Sequence, residues 1–164
     1  MTLDRILVGI DGSVGSAVAL RWAIDLARAV DAEIVAVHAF EVPTPVIAPE
    51  TGVPVGLGVD EVEVERTLRE TAEQAFVTDW SASLEEAGVP YRRLLEEGAP
   101  GEVLLEVAER ERPGLLVTGR RGRGALAALL AGSLSEHLVH HSRIPVAVVP
   151  ATGDRHEAKT PATS

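Results

Sequence analysis

The stretch Gly114-Leu-Leu-Val-Thr-Gly-Arg-Arg-Gly122 decides the fold of this chain, and Gly132-Ser133 follows it after nine residues. Residues 115–118 are almost wholly apolar and predict a strand buried on both faces, whereas residues 133–141 predict a helix. A loop punctuated by glycine between a strand and a helix leaves backbone N–H groups free and adds little bulk, which suits a phosphate chain. The sequence therefore points to a nucleotide as the ligand.

Alternating strands and helices are predicted on both sides of this stretch. Further strands are predicted at 5–10, 33–39, 91–95 and 146–149, and further helices at 13–30, 60–88 and 100–110. The helix over 60–88 is expected to turn inward Val62, Leu68, Ala72, Ala75, Phe76 and Leu84. Residues 41–58 contain four prolines and three glycines and predict a loop.

This alternation predicts a doubly wound α/β fold, in which a five-stranded parallel sheet carries helices on both faces. In such sheets a ligand binds beyond the carboxyl ends of the strands. Asp11, Ala39 and Gly119 are each predicted to lie just after such an end, so three loops are expected to meet at one crevice.

Composition excludes several classes of function. The chain has 164 residues, 46% of them hydrophobic, and no cysteine, which excludes disulfides, thiol catalysis and thiolate metal sites. Its net charge of −10 disfavours nucleic acid and anionic membranes as partners. No leader pattern and no apolar run of about 20 residues is present, so we expect a cytoplasmic protein. The polar residues 151–164 predict a disordered tail.

Three motifs together resemble the universal stress protein family. They are Gly119-x2-Gly122-x9-Gly132-Ser133, Val8-Gly-Ile-Asp-Gly-Ser13 and Ile144-Pro-Val-Ala-Val-Val-Pro150. The resemblance covers residues 3–150 and implies a single Rossmann-like domain over 1–150, with strand order 3-2-1-4-5. It also implies a homodimer that pairs through the final strand, 146–149. Because every glycine and the serine of the first motif are kept, the chain is similar to the ATP-binding branch of that family.

The same resemblance implies the residues of an ATP site. They are Ile10, Asp11, Ala39, Thr118, Gly119, Arg121, Gly122, Gly132, Ser133, Leu134 and Ser135. In such proteins the motif glycines, Ser133 and Ser135 would hold the ribose and the phosphates. The backbone of Ala39 would face the adenine.

Asp11 has two interpretations that are compatible with each other. A carboxylate beside a triphosphate is repulsive unless Mg²⁺ bridges the two or the carboxylate bonds the ribose, and the resemblance implies one of these roles. The other interpretation is that Asp11 or Ser13 caps the helix over 13–30.

Other charged and titratable residues leave alternatives open. Arg120, Arg121 and Arg123 would neutralise phosphate or simply be solvated loop cations. His137 and His141 have a helical spacing that suits a metal, but no H-E-x-x-H pattern accompanies them, and a solvent-facing helix explains them as well. His38 is expected to be a packed residue at a strand end.

The motifs that are absent favour binding over catalysis. There is no P-loop, no G-x-S-x-G elbow and no nucleophile with a base, and the sole lysine, Lys159, lies in the tail. We therefore expect a regulatory stress-response module in which ATP orders residues 119–133 and 41–58 and so changes the surface offered to an unknown protein partner. The alternatives are a slow Mg²⁺-dependent ATP hydrolase or nucleotide-transfer enzyme, and an interaction module with a vacant pocket.

Overall fold

Strands and helices alternate along the chain, as the sequence predicts. The computed structural model describes residues 3–42, 46–47, 54–55, 61–120 and 133–151. The strands are β1 (Arg5–Gly9), β2 (Glu33–Phe40), β3 (Val46–Ile47), β4 (Pro54–Val55), β5 (Tyr91–Glu97), β6 (Leu115–Gly119) and β7 (Val146–Val149). The helices are α1 (Val14–Val30), α2 (Glu61–Ala75), α3 (Ser83–Ala87), α4 (Pro100–Glu111) and α5 (Ser133–His141).

The main sheet has five parallel strands in the order β5-β2-β1-β6-β7. Numbered along the chain without the short pair β3-β4, this is the expected order 3-2-1-4-5. Leu7 in the central strand lies opposite Val35 on one side and Leu116 on the other. The doubly wound fold predicted from the sequence is confirmed.

The sheet is buried on both faces because successive side chains of a strand point to opposite sides. Ile6 and Val8 pack on the face that carries α1 and α3. Leu7, between them, packs on the face that carries α4 and α5. All three are fully buried, and each contributes about 1.5–3 kcal/mol of hydrophobic stabilisation. The continuous apolar run of β1 thus serves two cores.

The helix predicted over 60–88 is interrupted. α2 continues into one π-helical turn, Phe76–Trp80, and α3 begins only after Ser81 and Ala82. Gly88 ends α3 with a φ of +67°, as expected of a glycine stop.

The predicted inner face of this helix is only partly right. Phe76 and Leu84 are buried, whereas Val62 is 72% exposed and Leu68 is 36% exposed. Ala72 and Ala75 are half-buried. A π turn adds a residue to the helical repeat, so the apolar positions before it and after it do not share one face.

The segment predicted as a loop over 41–58 contains a short pairing. Val46–Ile47 and Pro54–Val55 form an antiparallel pair of two residues each. The rest of the segment from residue 43 onward, like residues 152–164 of the predicted tail, lies outside the described residues.

An ion-pair network joins the amino ends of three strands, at the sheet edge opposite the predicted crevice. Arg92 donates from Nε to Glu33, at 2.7 Å, and from Nη2 to Glu111, at 2.8 Å. Arg5 donates from Nε to the other oxygen of Glu33, at 2.9 Å. The network fastens α4, which ends at Glu111, to β1, β2 and β5.

Within the described part of the chain, no helix has both the length and the apolar character needed to cross a membrane.

Candidate functional site

A crevice of about 490 Å³, open solvent at its mouth included, lies at the carboxyl edge of the sheet. The ends of β1, β2 and β6 form its floor, and the first turns of α1, α4 and α5 form its walls. The residues that line it are Gly9, Ile10, Asp11, Ser16, Val37, His38, Ala39, Pro100, Leu104, Thr118, Gly119, Arg120, Leu134 and Ser135. This is the position at which ligands bind in doubly wound sheets.

Hydrogen bonds between residues close in sequence fix the turn between β1 and α1. Asp11 Oδ1 accepts from the backbone N–H of Ser13, at 3.0 Å, and Ser13 Oγ accepts from the backbone N–H of Ser16, at 3.1 Å. Ser16 Oγ donates in turn to the carbonyl oxygen of Ser13, at 3.0 Å. Ser13 is therefore the N-cap of α1, and Asp11 stabilises the turn before it.

A glycine at the end of β6 brings that strand against α1. A Cβ on Gly119 would lie 2.7 Å from the carbonyl oxygen of Gly15 and 3.0 Å from the backbone nitrogen of Ser16. Only a residue without a side chain allows this approach. The close contact places Thr118 and Ser16, from different elements, on the same crevice.

The helix ends give the crevice its electrostatic character. α4 begins at Pro100 and α5 at Ser133, and both first turns contribute lining residues, among them Leu134 and the buried Ser135. The unpaired N–H groups and the dipole of a helix N-terminus attract anions. Asp11 and Arg120 are the charged side chains among the residues that line the crevice.

His38 forms part of the crevice floor and is 8% exposed. Its Nδ1 lies 2.7 Å from the carbonyl oxygen of Ile10, and since a carbonyl oxygen only accepts, Nδ1 is the donor. Its ring meets the ring of Trp80 edge-on, with 4.8 Å between centroids. His38 is thus packed at a strand end, as the sequence predicts.

Most of the predicted site residues meet at this crevice. Those on its surface are Ile10, Asp11, Ala39, Thr118, Gly119, Leu134 and Ser135. Ser133 is the first residue of α5, at the same edge of the sheet. Arg121, Gly122 and Gly132 lie outside the described residues.

Several other lining residues are not among those predicted from the sequence. Pro100 and Leu104 belong to α4, which begins just after the carboxyl end of β5. The predicted topology could have indicated them, because in a parallel sheet the helix that follows each strand begins at the same edge. Gly9 belongs to the quoted motif Val8–Ser13, and Val37 and Ser16 lie near residues of the predicted site without a motif of their own.

Two of the three histidines of α5 interact with each other. The rings of His137 and His141 stack with 4.3 Å between centroids, and His137 Nε2 lies 3.3 Å from a carboxylate oxygen of Glu102. In the described part of the chain, no group of three or more histidine and carboxylate side chains could hold a metal ion.

Comparison with known proteins shows which family the chain belongs to. The model of the universal stress protein family matches residues 2–150. The stress response protein NhaX of Bacillus subtilis is 33% identical, over 89% of this chain and 97% of that protein. The universal stress protein MJ0531 of Methanocaldococcus jannaschii is 31% identical, over 88% of this chain and 81% of its own length.

Solved structures show the same fold. The hypothetical protein MJ0577 is similar, with a TM-score of 0.73 and 23% identity over 92% of this chain and 97% of its own. A universal stress protein in complex with cAMP matches with a TM-score of 0.60 and 22% identity, over 93% of this chain and all of its own. A family member from Arabidopsis thaliana with AMP bound has a TM-score of 0.55 and 19% identity, over 94% of this chain and 97% of its own.

Proposed function

Because the chain belongs to the universal stress protein family, we propose that it is a stress-response protein that binds ATP, together with Mg²⁺, in the crevice at the carboxyl edge of its sheet. One observation carries the proposal. Seven residues that the family resemblance implies for the site, from the ends of three strands and the first turn of α5, line a single crevice.

The polar side of the crevice suits phosphates. The N-termini of α4 and α5, a kind of helix end that favours anions, lie at this edge, and Gly119 adds no side chain that would keep a ligand away. In our proposal the motif residues Arg121, Gly122, Gly132 and Ser133 complete the phosphate contacts. When bound, the nucleotide supplies negative charge to an edge that is otherwise rich in N–H donors.

The apolar side suits a base. Val37 and Leu104 line it, and Ala39 contributes only a methyl group, which leaves space for a flat ring. Binding of cAMP and AMP by two proteins of the same fold supports a nucleotide as the ligand. We infer that the bound nucleotide orders residues 119–133 and 41–58 and so changes the surface offered to an as yet unidentified protein partner.

Calorimetric titration tests the binding proposal. ATP is titrated, with and without Mg²⁺, into protein freed of nucleotide, and AMP and cAMP are titrated in parallel. We expect micromolar or tighter binding of ATP, loss of binding in Gly122→Glu, and weaker binding in Ser135→Ala. Ser83→Ala is the matched control because Ser83 is exposed on α3, away from the residues that line the crevice.

The outcomes separate the candidate ligands. If AMP or cAMP gave binding heat and ATP gave none, ATP would be overturned as the ligand, and the crevice would be a nucleotide site of different specificity. No heat from any of the three would overturn the nucleotide site altogether. Unchanged protease protection of residues 41–58 and 119–133 on addition of ATP would contradict the regulatory part of the proposal.

We also propose that two copies pair through β7. The edge strand β5 carries Arg92, Arg93, Glu96 and Glu97, charges that discourage pairing with another strand. The opposite edge strand, β7, consists of Val-Ala-Val-Val and has no charge. An apolar edge of this kind favours pairing with another chain.

A proline at one position tests this pairing. Pro145 accepts a hydrogen bond from Leu116 of β6, and Val149 accepts one from Arg120, just after β6. By strand alternation the N–H of Val148 therefore points away from β6. Val148→Pro removes that N–H and leaves the β6 ladder in place. We expect sedimentation to give a dimer for the wild type and a monomer for Val148→Pro. A monomeric wild type would contradict the proposal.

A further inference from the structure

The turn after β1 is held from outside the crevice by an aromatic ring. Gly12 has a φ of +75°, a backbone conformation that favours glycine. A Cβ on Gly12 would lie 2.4 Å from Cε2 and 2.5 Å from Nε1 of Trp80. The indole therefore lies directly on the backbone of the turn that presents Asp11 to the crevice.

The position of Trp80 is itself set by an unusual piece of helix. Trp80 is the last residue of the π-helical turn, and the backbone N–H of Ser81 closes that turn by donating to the carbonyl oxygen of Phe76, at 3.1 Å. Ser81 Oγ donates to the same oxygen, at 2.6 Å, and accepts from Arg93 Nε, at 2.7 Å. π-Helical turns occur often at functional sites, and this one is anchored to β5 through Arg93.

His38 connects the indole to the crevice floor. It donates to the carbonyl oxygen of Ile10, the residue before Asp11, and its ring packs edge-on against Trp80. Trp80 thus contacts the β1–α1 turn directly at Gly12 and indirectly, through His38, at Ile10. Neither contact places the indole among the residues that line the crevice.

We propose that Trp80 is a positioning residue for the nucleotide site: by packing on Gly12 and His38 it holds the Ile10–Gly12 turn in the binding conformation and senses its occupancy. This inference rests on the proposed function, because it assigns Trp80 a role in that same site. A site held in its binding geometry before the ligand arrives loses less conformational entropy on binding. Removing the indole therefore weakens binding without removing a contact to the ligand.

Affinity measurements provide the first test. We expect Trp80→Ala to weaken ATP binding about tenfold and Trp80→Phe to restore most of that loss. Gly12→Ala should weaken binding in the same way, because the new methyl group displaces the indole. Trp22→Ala is the matched control: Trp22 is the other tryptophan of the chain, is 42% exposed on α1, and should leave the affinity within about twofold.

Fluorescence provides a readout that a merely structural role would not change. In Trp22→Phe the only indole is Trp80, and ATP should change its emission. In Trp80→Phe the only indole is Trp22, and ATP should leave its emission unchanged. If Trp80→Ala fails to fold, the emission of the Trp22→Phe protein and the affinity of Trp80→Leu decide the question.

The results distinguish this inference from the proposed function. If the wild type binds no nucleotide, the proposed function fails and the role of Trp80 falls with it. If the wild type binds ATP but Trp80→Ala binds equally well and the emission of Trp80 does not respond, the role of Trp80 alone is overturned. Weaker binding in Trp80→Ala together with a response confined to Trp80 supports it.

Discussion

Gly119 and Gly15 touch through their backbones: a Cβ on Gly119 would lie 2.6 Å from the carbonyl carbon of Gly15. The contact joins the end of β6 to the first turn of α1, so the floor and one wall of the crevice share one rigid joint. Backbone atoms within a helix and a strand cannot turn aside as a side chain can. Any added atom must therefore move the whole first turn of α1.

We accordingly expect Gly119→Ala to destabilise the protein by about 1–3 kcal/mol, the cost of overpacking. Urea unfolding measures this loss. Gly88→Ala is the control: unlike Gly119, Gly88 has a positive φ, +67°, but a Cβ there would meet nothing within 4 Å. It should cost only the conformational strain, about 1 kcal/mol. Equal losses in the two variants would mean that the contact with Gly15 relaxes without strain.

The ion-pair network at the other edge of the sheet predicts a dependence on pH. Hydrogen bonds from Arg92 lower the pKa of Glu33 and of Glu111 below the ordinary value of 4.5. A lowered pKa in the folded state means that the ionised carboxylates stabilise the fold. This contribution is complete above the unfolded pKa and is lost as the pH falls through the folded pKa. It should therefore be constant near neutral pH and decline below about 4.5.

Arg92→Met tests this dependence. At pH 7 the variant should be about 1–2 kcal/mol less stable than the wild type, a modest value because the Arg92 side chain is 41% exposed. Below pH 4.5 the difference should shrink, because the wild type loses what the variant already lacks. Urea titrations at neutral and acid pH measure both values. Arg21→Met, at an exposed position on α1, is the control. If the difference in the free energy of unfolding between the wild type and Arg92→Met stayed constant with pH, the stabilising role of the ionised Glu33 and Glu111 would be contradicted.

Ser81 predicts how firmly the π turn is held. It is fully buried and bonds both the carbonyl oxygen of Phe76 and the guanidinium of Arg93. Ser81→Ala leaves these two polar groups without that partner and should cost about 1–3 kcal/mol. Ser83→Ala, an exposed change of the same type two residues later, should be near neutral. Thermal unfolding compares the two, and a loss no larger in Ser81→Ala than in the control would refute the prediction.

The sequence predicted the strands, and the meeting of three loops at one edge of the sheet, more successfully than the helix after β4. Short apolar runs such as Ile6–Val8 are typical of a strand buried on both faces, and the family resemblance implied the order of the strands. The loops meet because parallel strands end at one edge. The π turn at Phe76–Trp80 could not be predicted, since it depends on Ser81 and Arg93, which come together only in the fold. The packing of Trp80 on Gly12 is likewise a tertiary contact without a local signal.

Two substitutions at Asp11 separate its structural role from its electrostatic role. Oδ1 accepts the hydrogen bond from the backbone of Ser13, at 3.0 Å, and an asparagine can accept the same bond without the charge. Asp11→Asn should therefore keep the stability of the wild type but lose the enhancement of ATP affinity by Mg²⁺, because a neutral amide is a poor partner for a divalent cation.

Asp11→Ala removes both properties of the side chain. It should lose the Mg²⁺ effect as Asp11→Asn does and should also unfold more easily, by about 1 kcal/mol, because the turn before α1 loses its acceptor. Calorimetry with and without Mg²⁺, combined with thermal unfolding of both variants, measures the two effects separately. If both variants kept the full Mg²⁺ dependence, Asp11 would be a residue of the turn alone. The cation would then be held by the phosphates and by other groups of the crevice.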